Sequence, residues 1–355
     1  MRVATVVGNR PQFVKAAAVS PRLRERHEEI LVHTGQHHDE ELSAVFFDEL
    51  GLPAPDHRLE ISGGSNSSQL ARMVGALEPL ITDLAPDLVL LYGDTNSTLA
   101  GALAAADAGV PVVHVEAGMR SFDRSQPEER NRVLTDQLSA LLCASTQAAA
   151  DQLASEGVPG RAVVVGDVMV DVALATRERS LGRTDVLAAH GLQPGSYLLV
   201  TAHRPANVDD PAALERLVEL LEALPDPVLM PLHPRSLARL ESQHLHARAA
   251  AAASLTQPLG YLEFAALLNN ARAVLTDSGG VQKEAYIAGV PCITLRERTE
   301  WGETVAAGWN TLVGLDAAAA LEALTRTPPP ERPPLWGDSD AGARIVAAIE
   351  DYAVA

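Results

Sequence analysis

Two carboxylates, one histidine and one serine-glycine turn fall directly behind short apolar runs, where an α/β chain places its chemistry, and a third carboxylate opens a helix nearby. The run through Val112 and Val113 follows Gly109 and Pro111 and leads into His114-Val115-Glu116-Ala117-Gly118-Met119-Arg120, the pattern of a buried parallel strand ending before a functional loop. Glu116 therefore stands at a strand's carboxyl end, the edge of an open α/β sheet where ligands bind, and is a candidate acid or base. Its plainer role is to cap a neighbouring loop. Glu128 has a stronger structural competitor, because Ser125-Gln126-Pro127-Glu128 has capping-box spacing with proline in the first turn of the following helix. The balance moves toward chemistry with a further carboxylate, Asp94, which follows Leu88 to Tyr92 in Gly93-Asp94-Thr95-Asn96-Ser97. Asp94 could itself cap the next helix, although Thr95 and Asn96 can also do so.

Cations and an anion-binding turn accompany the carboxylates. Gly8-Asn9-Arg10-Pro11 follows the first strand and opens the first helix, with Lys15 one turn further in. The dinucleotide fingerprint G-x-G-x-x-G is missing there, so a nicotinamide dehydrogenase is disfavoured, and Arg10 and Lys15 read as cations aimed at a phosphate or polar head group. Lys15 and Lys283 are the only lysines in a chain that otherwise uses arginine, a mild pointer to function. In the second half, Thr201-Ala202-His203-Arg204-Pro205 places a His-Arg pair behind another strand. Thr276-Asp277-Ser278-Gly279-Gly280-Val281-Gln282 sets a hydroxyl and two glycines where the N–H groups of a helix start are exposed, the geometry that binds phosphate. Glu284, one turn inside that helix, could reach a ribose; the alternative is an unliganded Gly-rich turn.

The frame for these residues is an alternation of strand and helix patterns. Strands are expected at 3–7, 30–33, 88–92, up to His114, 141–144 and 162–165, with helices at 11–26, up to Leu50, 69–84, 96–107, from Glu128, and 147–156. A second series starts afresh, with strands at 197–201, 228–230, 273–275 and 292–295 and helices at 211–223, 261–269 and 280–288. Such alternation means parallel sheets covered by helices, an α/β fold of two Rossmann-like domains with a cleft between the carboxyl ends of both sheets. The Pro-rich stretch 327–334 reads as a surface crossing and 341–352 as a final amphipathic helix. At 355 residues the chain exceeds the size of one ordinary core.

A net charge of −18 argues against nucleic acid or an anionic membrane as partner. The N-terminus is too short and too quickly polar for a signal peptide, and no run approaches ~20 apolar residues, so a cytoplasmic location is expected. Cys143 and Cys292 lie in apolar runs and read as buried free thiols, and His244-Leu245-His246 lacks a third ligand and reads as solvated surface.

Taken together these stretches resemble the non-hydrolysing UDP-N-acetylglucosamine 2-epimerases. The match runs through Gly8-Asn9-Arg10-Pro11, Gly35-Gln36-His37, Gly93-Asp94-Thr95, His114 to Arg120, Pro127 to Arg132, His203-Arg204, His233-Pro234-Arg235, Pro258 to Phe264 and Asp277 to Glu284, almost the whole chain. The resemblance implies a glycosyltransferase-B-type fold, usually dimeric, with an N-terminal domain at 1–165 rejoined by the last helix at 341–355 and a UDP-binding domain at 166–340. It implies that Asp94, Glu116 and Glu128 are the catalytic carboxylates and that His203 contacts the leaving diphosphate. Arg10, Arg132, Ser278, Gly279 and Gly280 match sugar-nucleotide ligands, and Lys15, Phe264 and Glu284 match positions that hold uridine.

Two departures bear on the sugar. The commoner family pattern Thr-Glu-Arg-Pro-Glu is here Thr299-Glu300-Trp301-Gly302-Glu303, an indole in place of a cation, and the usual glutamate after His-Arg is absent from Pro205-Ala206-Asn207. Some bacterial members bind a second substrate molecule as activator, but Gln36-His37-His38-Asp39 lacks the second glutamine of that pattern, so this regulation is not expected.

The expected reaction is reversible C2 epimerisation of UDP-N-acetylglucosamine to UDP-N-acetylmannosamine, by anti elimination of UDP to 2-acetamidoglucal and re-addition. Acid/base groups are then needed on both faces of C2, and cations at the diphosphate. No metal and no cofactor is called for. The alternatives are a related UDP-diacetamido or uronic-acid sugar, a hydrolysing relative that releases N-acetylmannosamine and UDP, a glycosyltransferase with the same fold, and a non-catalytic UDP-sugar sensor.

Overall fold

Apolar runs without alternation become strands buried on both faces, and polar residues ahead of them set where the helices begin. The computed structural model describes residues 1–36, 49–180, 182–338 and 340–354. The helical stretch expected before Leu50, and His37 to Asp39, lie largely or wholly outside them. The chain divides into one unit of Met1–Val172 with Trp336–Ala355 and a second of Ala173–Leu335.

In the first unit, β1 (Arg2–Val7), β2 (Glu28–His33), β3 (His57–Arg58), β4 (Leu88–Tyr92), β5 (Val112–Ala117), β6 (Leu141–Ala144) and β7 (Arg161–Val164) form a parallel sheet in the order β3-β2-β1-β4-β5-β6-β7. Every side chain of β4 is buried, as expected for a central parallel strand. Its helices are α1 (Arg10–Arg24), α2 (Asn66–Leu84), α3 (Asn96–Asp107), α4 (Pro127–Leu138), α5 (Gln147–Ser155) and the start of α6 (Val168–Ser180). Caps explain the starts: Asn9 accepts the Gln12 N–H at 3.3 Å, and Ser65 accepts the Ser68 N–H at 3.3 Å. The Ser65 cap is why α2 begins three residues before the expected Gln69. Strand order reverses between β1 and β4, so the loops that follow them diverge and leave a crevice at their carboxyl ends.

The second unit repeats the plan. Its strands β8 (Leu198–Thr201), β9 (Val228–Pro231), β10 (Ser254–Thr256), β11 (Ala273–Thr276), β12 (Cys292–Thr294) and β13 (Asn310–Leu312) lie in the order β10-β9-β8-β11-β12-β13, with the reversal between β8 and β11. Helices α7 (Thr184–Ala189), α8 (Pro205–Val208), α9 (Pro211–Ala223), α10 (Pro234–Ser242), α11 (His246–Ala252), α12 (Tyr261–Asn270), α13 (Gly279–Ala288), α14 (Gly302–Ala306) and α15 (Ala317–Thr325) cover it. Several of these are a turn or two long, too short for a 3.6-residue period to show in the sequence.

The last helix, α16 (Ala341–Val354), belongs to the first unit. Its first N–H groups, from Ala341 and Gly342, donate to the Asp171 carboxylate at 3.1 and 2.9 Å. Gly342 sits so close to the Ala18 carbonyl of α1 that a Cβ would collide with it. Cys143 and Cys292 are free and buried, and burial pushes both thiols up to about 12.

Candidate active site

Gln12 ties together the two loops at the first unit's switch point. Fully buried, it accepts the Gly8 N–H at 2.7 Å and donates to the Tyr92 carbonyl and the Thr98 hydroxyl, each at 3.0 Å. Arg10, half-buried, opens α1 in the loop so fixed. Further along the same helix the Lys15 ammonium pairs with the Glu116 carboxylate, the two side chains only 13% and 11% accessible. Gly93 leaves room for that pair: a Cβ there would stand 2.9 Å from Lys15 Nζ.

β5 does not end at His114 but runs on to Ala117, and its register on β6 slips between Val115 and Ala117. Glu116 is the residue at the slip, with φ +70°. A glutamate in the left-handed region costs roughly 1–2 kcal/mol, and bulges of this kind re-aim a side chain. Anchors hold both flanks. His114, fully buried, places Nε2 2.7 Å from the Gly93 carbonyl and Nδ1 2.7 Å from Asp136 Oδ1. Asp136 also accepts the Gly118 N–H at 3.2 Å and pairs with Arg120 at 2.7 Å. Burial pushes the Asp136 carboxyl up, but the bonds and charges of His114 and Arg120 outweigh it and hold the group below the usual carboxylate range.

Asp94 pairs with Arg132, whose Nη1 lies 3.0 Å from Glu129 Oε2. Asp94 is not the cap of α3; Thr95 is, and its N–H donates to the Thr98 hydroxyl at 3.1 Å. The capping box expected at Ser125 to Glu128 is also absent. α4 starts at Pro127 behind Gln126, whose side chain makes no cap bond, and the Ser125 hydroxyl turns to Asp123 at 2.6 Å. Glu128 is exposed on the first turn, whereas its neighbour Glu129 is buried.

In the second unit Asp277 does for its switch point what Gln12 does for the first. Fully buried, it accepts the N–H groups of His203 and Arg204 at 3.0 and 2.9 Å and the Asn207 amide at 3.0 Å, and lies 3.2 Å from His203 Nδ1. That contact turns Nε2 of the half-exposed imidazole toward any further partner. Burial raises the Asp277 carboxyl, yet the His203 bond and charge and the backbone N–H groups win and hold it low.

Ser278 is the N-cap of α13 but its side chain makes no cap bond, and Gly279 and Gly280 form the first turn. A Cβ on Gly279 would collide with the Glu300 carboxylate and stand 3.4 Å from Trp301 Nε1. Trp301 donates Nε1–H to the Gly279 carbonyl at 2.9 Å, and its ring lies 4.5 Å from the buried Lys283 ammonium. The departure from the family pattern is therefore seated at the glycine turn. Glu300 itself pairs with Arg296 at 2.8 Å and Arg204 at 3.6 Å. One turn into α13, burial pushes the Glu284 carboxyl up to about 7, against the opposing bond to Tyr261. Phe264, on the same helix as Tyr261, packs against this unit's core beside Leu259 and Val281. Among the described residues no group of three or more His, Cys, Asp and Glu could hold a metal ion, and no helix is long and apolar enough to cross a membrane.

The family model for UDP-N-acetylglucosamine 2-epimerase matches residues 21–350. The chain belongs to this family. It is 46% identical over 322 residues to the UDP-2,3-diacetamido-2,3-dideoxy-D-glucuronate 2-epimerase of Pseudomonas aeruginosa, covering 88% of each chain. It is 39% identical over 334 residues to the UDP-N-acetylglucosamine 2-epimerase of Methanocaldococcus jannaschii, covering 91% of each. A crystal structure of a Methanocaldococcus jannaschii UDP-GlcNAc 2-epimerase in complex with UDP-GlcNAc and UDP matches with a TM-score of 0.89 at 37% identity, over 99% of this chain and 100% of that one. The fold is accordingly the glycosyltransferase-B-like α/β fold of that family, and the chain is an epimerase.

Gln12 and Asp136 went unremarked in the sequence, and Glu129 and Asp277 stood there only as parts of motifs. None carries a spacing that sets it apart; polarity inside an otherwise apolar or helical stretch was the one signal available.

Proposed function

We propose that the chain interconverts UDP-N-acetylglucosamine and UDP-N-acetylmannosamine without net hydrolysis. The observation that carries this reading is the pairing of two strand-end carboxylates with cations, Glu116 with Lys15 and Asp94 with Arg132, in a member of this family. The C2 proton of an N-acetyl sugar has no adjacent carbonyl to acidify it, so elimination is the accessible route. A carboxylate takes the C2 proton, the C2–H electrons form the C1=C2 bond of 2-acetamidoglucal, and the C1–O bond breaks with its pair going to UDP. Re-addition returns a β-phosphate oxygen to C1 and a proton to the opposite face of C2. Asp94, Glu116 and Glu128 are the proton carriers in this scheme, since the two faces need separate groups.

The diphosphate is assigned to Arg10, Arg132, His203 and the Ser278-Gly279-Gly280 helix start, where N–H groups and a positive dipole end offset negative charge. His203, with Nδ1 held by Asp277, presents Nε2 to the leaving oxygen. Lys15, Phe264 and Glu284 are assigned to the uridine, with the Lys15 pairing to Glu116 as the feature that sets it apart from the other two. A homodimer in the cytoplasm completes the proposal, and light scattering tests the dimer. Incubation with UDP-N-acetylglucosamine in D2O, followed by NMR, tests the reaction: UDP-N-acetylmannosamine carrying deuterium at C2 is expected, and free N-acetylmannosamine as the main product would replace this reading by a hydrolysing one.

A second reading is favoured by a specific observation. The Pseudomonas aeruginosa relative, 46% identical to this chain, is named for a diacetamido uronic-acid sugar. Running UDP-2,3-diacetamido-2,3-dideoxy-D-glucuronate beside UDP-N-acetylglucosamine decides between them by kcat/KM.

A further inference from the structure

We propose that Glu129 is a positioning residue that sets Asp94 and the loop between Glu116 and Glu128 in their working geometry. The proposal rests on the epimerase reading above and adds to it a residue outside the three proton carriers. Glu129 is 3% accessible, and its carboxylate bonds the loop between Glu116 and Glu128 on one side and Arg132 on the other. Oε2 accepts the Ser121 N–H at 2.8 Å and the Ser121 hydroxyl at 2.9 Å, and Oε1 accepts the Phe122 N–H at 3.0 Å. Those residues begin the loop that leaves Glu116 and returns at Glu128. Phe122 holds φ +57° while its ring is 74% exposed, so its side chain supplies little packing to fix that conformation and the N–H bond to Glu129 restrains it.

The same carboxylate reaches Asp94 through one guanidinium. Arg132 Nη1 lies 3.0 Å from Glu129 Oε2 while Nη2 holds the Asp94 carboxylate. A planar fork between two carboxylates can keep only one orientation, so the buried partner dictates where the other finds its cation. Asn131 of the same helix donates to the Asp94 carbonyl at 3.0 Å, which makes α4 the common mount. Burial raises the Glu129 carboxyl, and the bonds from Ser121 and Phe122 with the Arg132 charge outweigh it and keep the group low, as an all-acceptor role requires. Glutamine has nearly the same shape but turns one acceptor into an amino group that faces N–H donors.

The test is a mutant cycle on the whole enzyme, with C2 deuterium exchange and epimerisation both read by NMR. Glu129→Gln is expected to lower kcat by about 10- to 100-fold with KM within about threefold, the scale of a misplaced catalytic group. Combined with Asp94→Asn, it should cost less than the product of the two single losses, because Glu129 acts through Arg132 and Asp94; a purely structural residue gives multiplicative losses. Should Glu129→Gln fail to fold, Ser121→Ala is read in its place, with several-fold lower kcat expected at the parent melting temperature. Parent-like kcat in the folded variant, or multiplicative losses in the cycle, would overturn the proposal. Absence of C2 exchange in the unmodified enzyme would overturn the epimerase reading instead, so the two failures are distinct.

Discussion

The two sheets share one strand order, yet their carboxyl ends are built from different materials. In the first unit the edge is made of charged side chains: Glu116 on Lys15, Asp94 on Arg132, and His114 on Asp136. In the second, backbone supplies more of it: Asp277 gathers the N–H groups of His203 and Arg204, and the Ser278-Gly279-Gly280 turn offers a helix start, beside the His203–Asp277 and Arg204–Glu300 pairs. Proton transfer needs side chains that change charge at a fixed point, whereas holding a diphosphate needs fixed dipoles that do not titrate. On the proposed function a single topology serves both tasks, and the residues at each switch point decide which.

The comparison breaks first if the charged edge does no chemistry. Asp94→Asn, Glu116→Gln and Glu128→Gln are each expected to lower kcat by ~100- to 10,000-fold with KM changed far less. Glu128 is the sharpest of the three, since it forms no capping box with Ser125; near-parental turnover in Glu128→Gln would strike it from the catalytic set. Next in size, the ion network behind Glu116 should matter to stability. Asp136→Asn takes from the buried His114 and the Gly118 N–H their carboxylate partner and leaves Arg120 with Glu156 alone, and is expected to cost about 3 kcal/mol at neutral pH, read by denaturant unfolding. Because the folded Asp136 carboxyl is lowered, its contribution is present above the unfolded value near 4 and drains as pH falls through the folded value. The gap between variant and parent should therefore narrow only below about pH 4.

The backbone edge is probed by bulk. Gly279→Val puts a side chain where the Glu300 carboxylate already lies, and UDP affinity measured by calorimetry should fall by about 2–3 kcal/mol in a variant that still melts cooperatively. Trp301→Arg, a smaller change at the same turn, should shift relative kcat/KM toward uronic-acid UDP-sugars by about tenfold, since a new cation favours an anionic partner. Smallest is a backbone test. Glu116→Gly and Glu116→Ala both abolish the carboxylate, but only glycine accepts φ +70° without strain, so the glycine variant should be the more stable by about 1 kcal/mol.

Much of this was legible in the chain and some was not, for identifiable reasons. β4 and α3 fall on their expected residues because an unbroken apolar run and a threonine-asparagine start leave little choice. The two units follow from the restart of the alternation. Glu116's bulge was not legible, since nothing in Val115-Glu116-Ala117 marks a register slip that depends on β6. The burial of Glu129 beside an exposed Glu128 was not legible, because it turns on which face α4 packs inward. The placement of Lys15 against Glu116 joins residues 101 positions apart, beyond any local pattern.

The return of α16 to the first unit has a consequence for the order of biosynthesis. Asp171 has no helix start to cap, and the Ala18 carbonyl no glycine against it, until residue 342 has left the ribosome. The unit whose residues are made first is thus the last to be completed, while the second, contiguous from Ala173 to Leu335, has all its own strands as soon as those residues emerge. A chain truncated after Leu335 and released should therefore carry a protease-resistant second half attached to a first half that still lacks its closing helix.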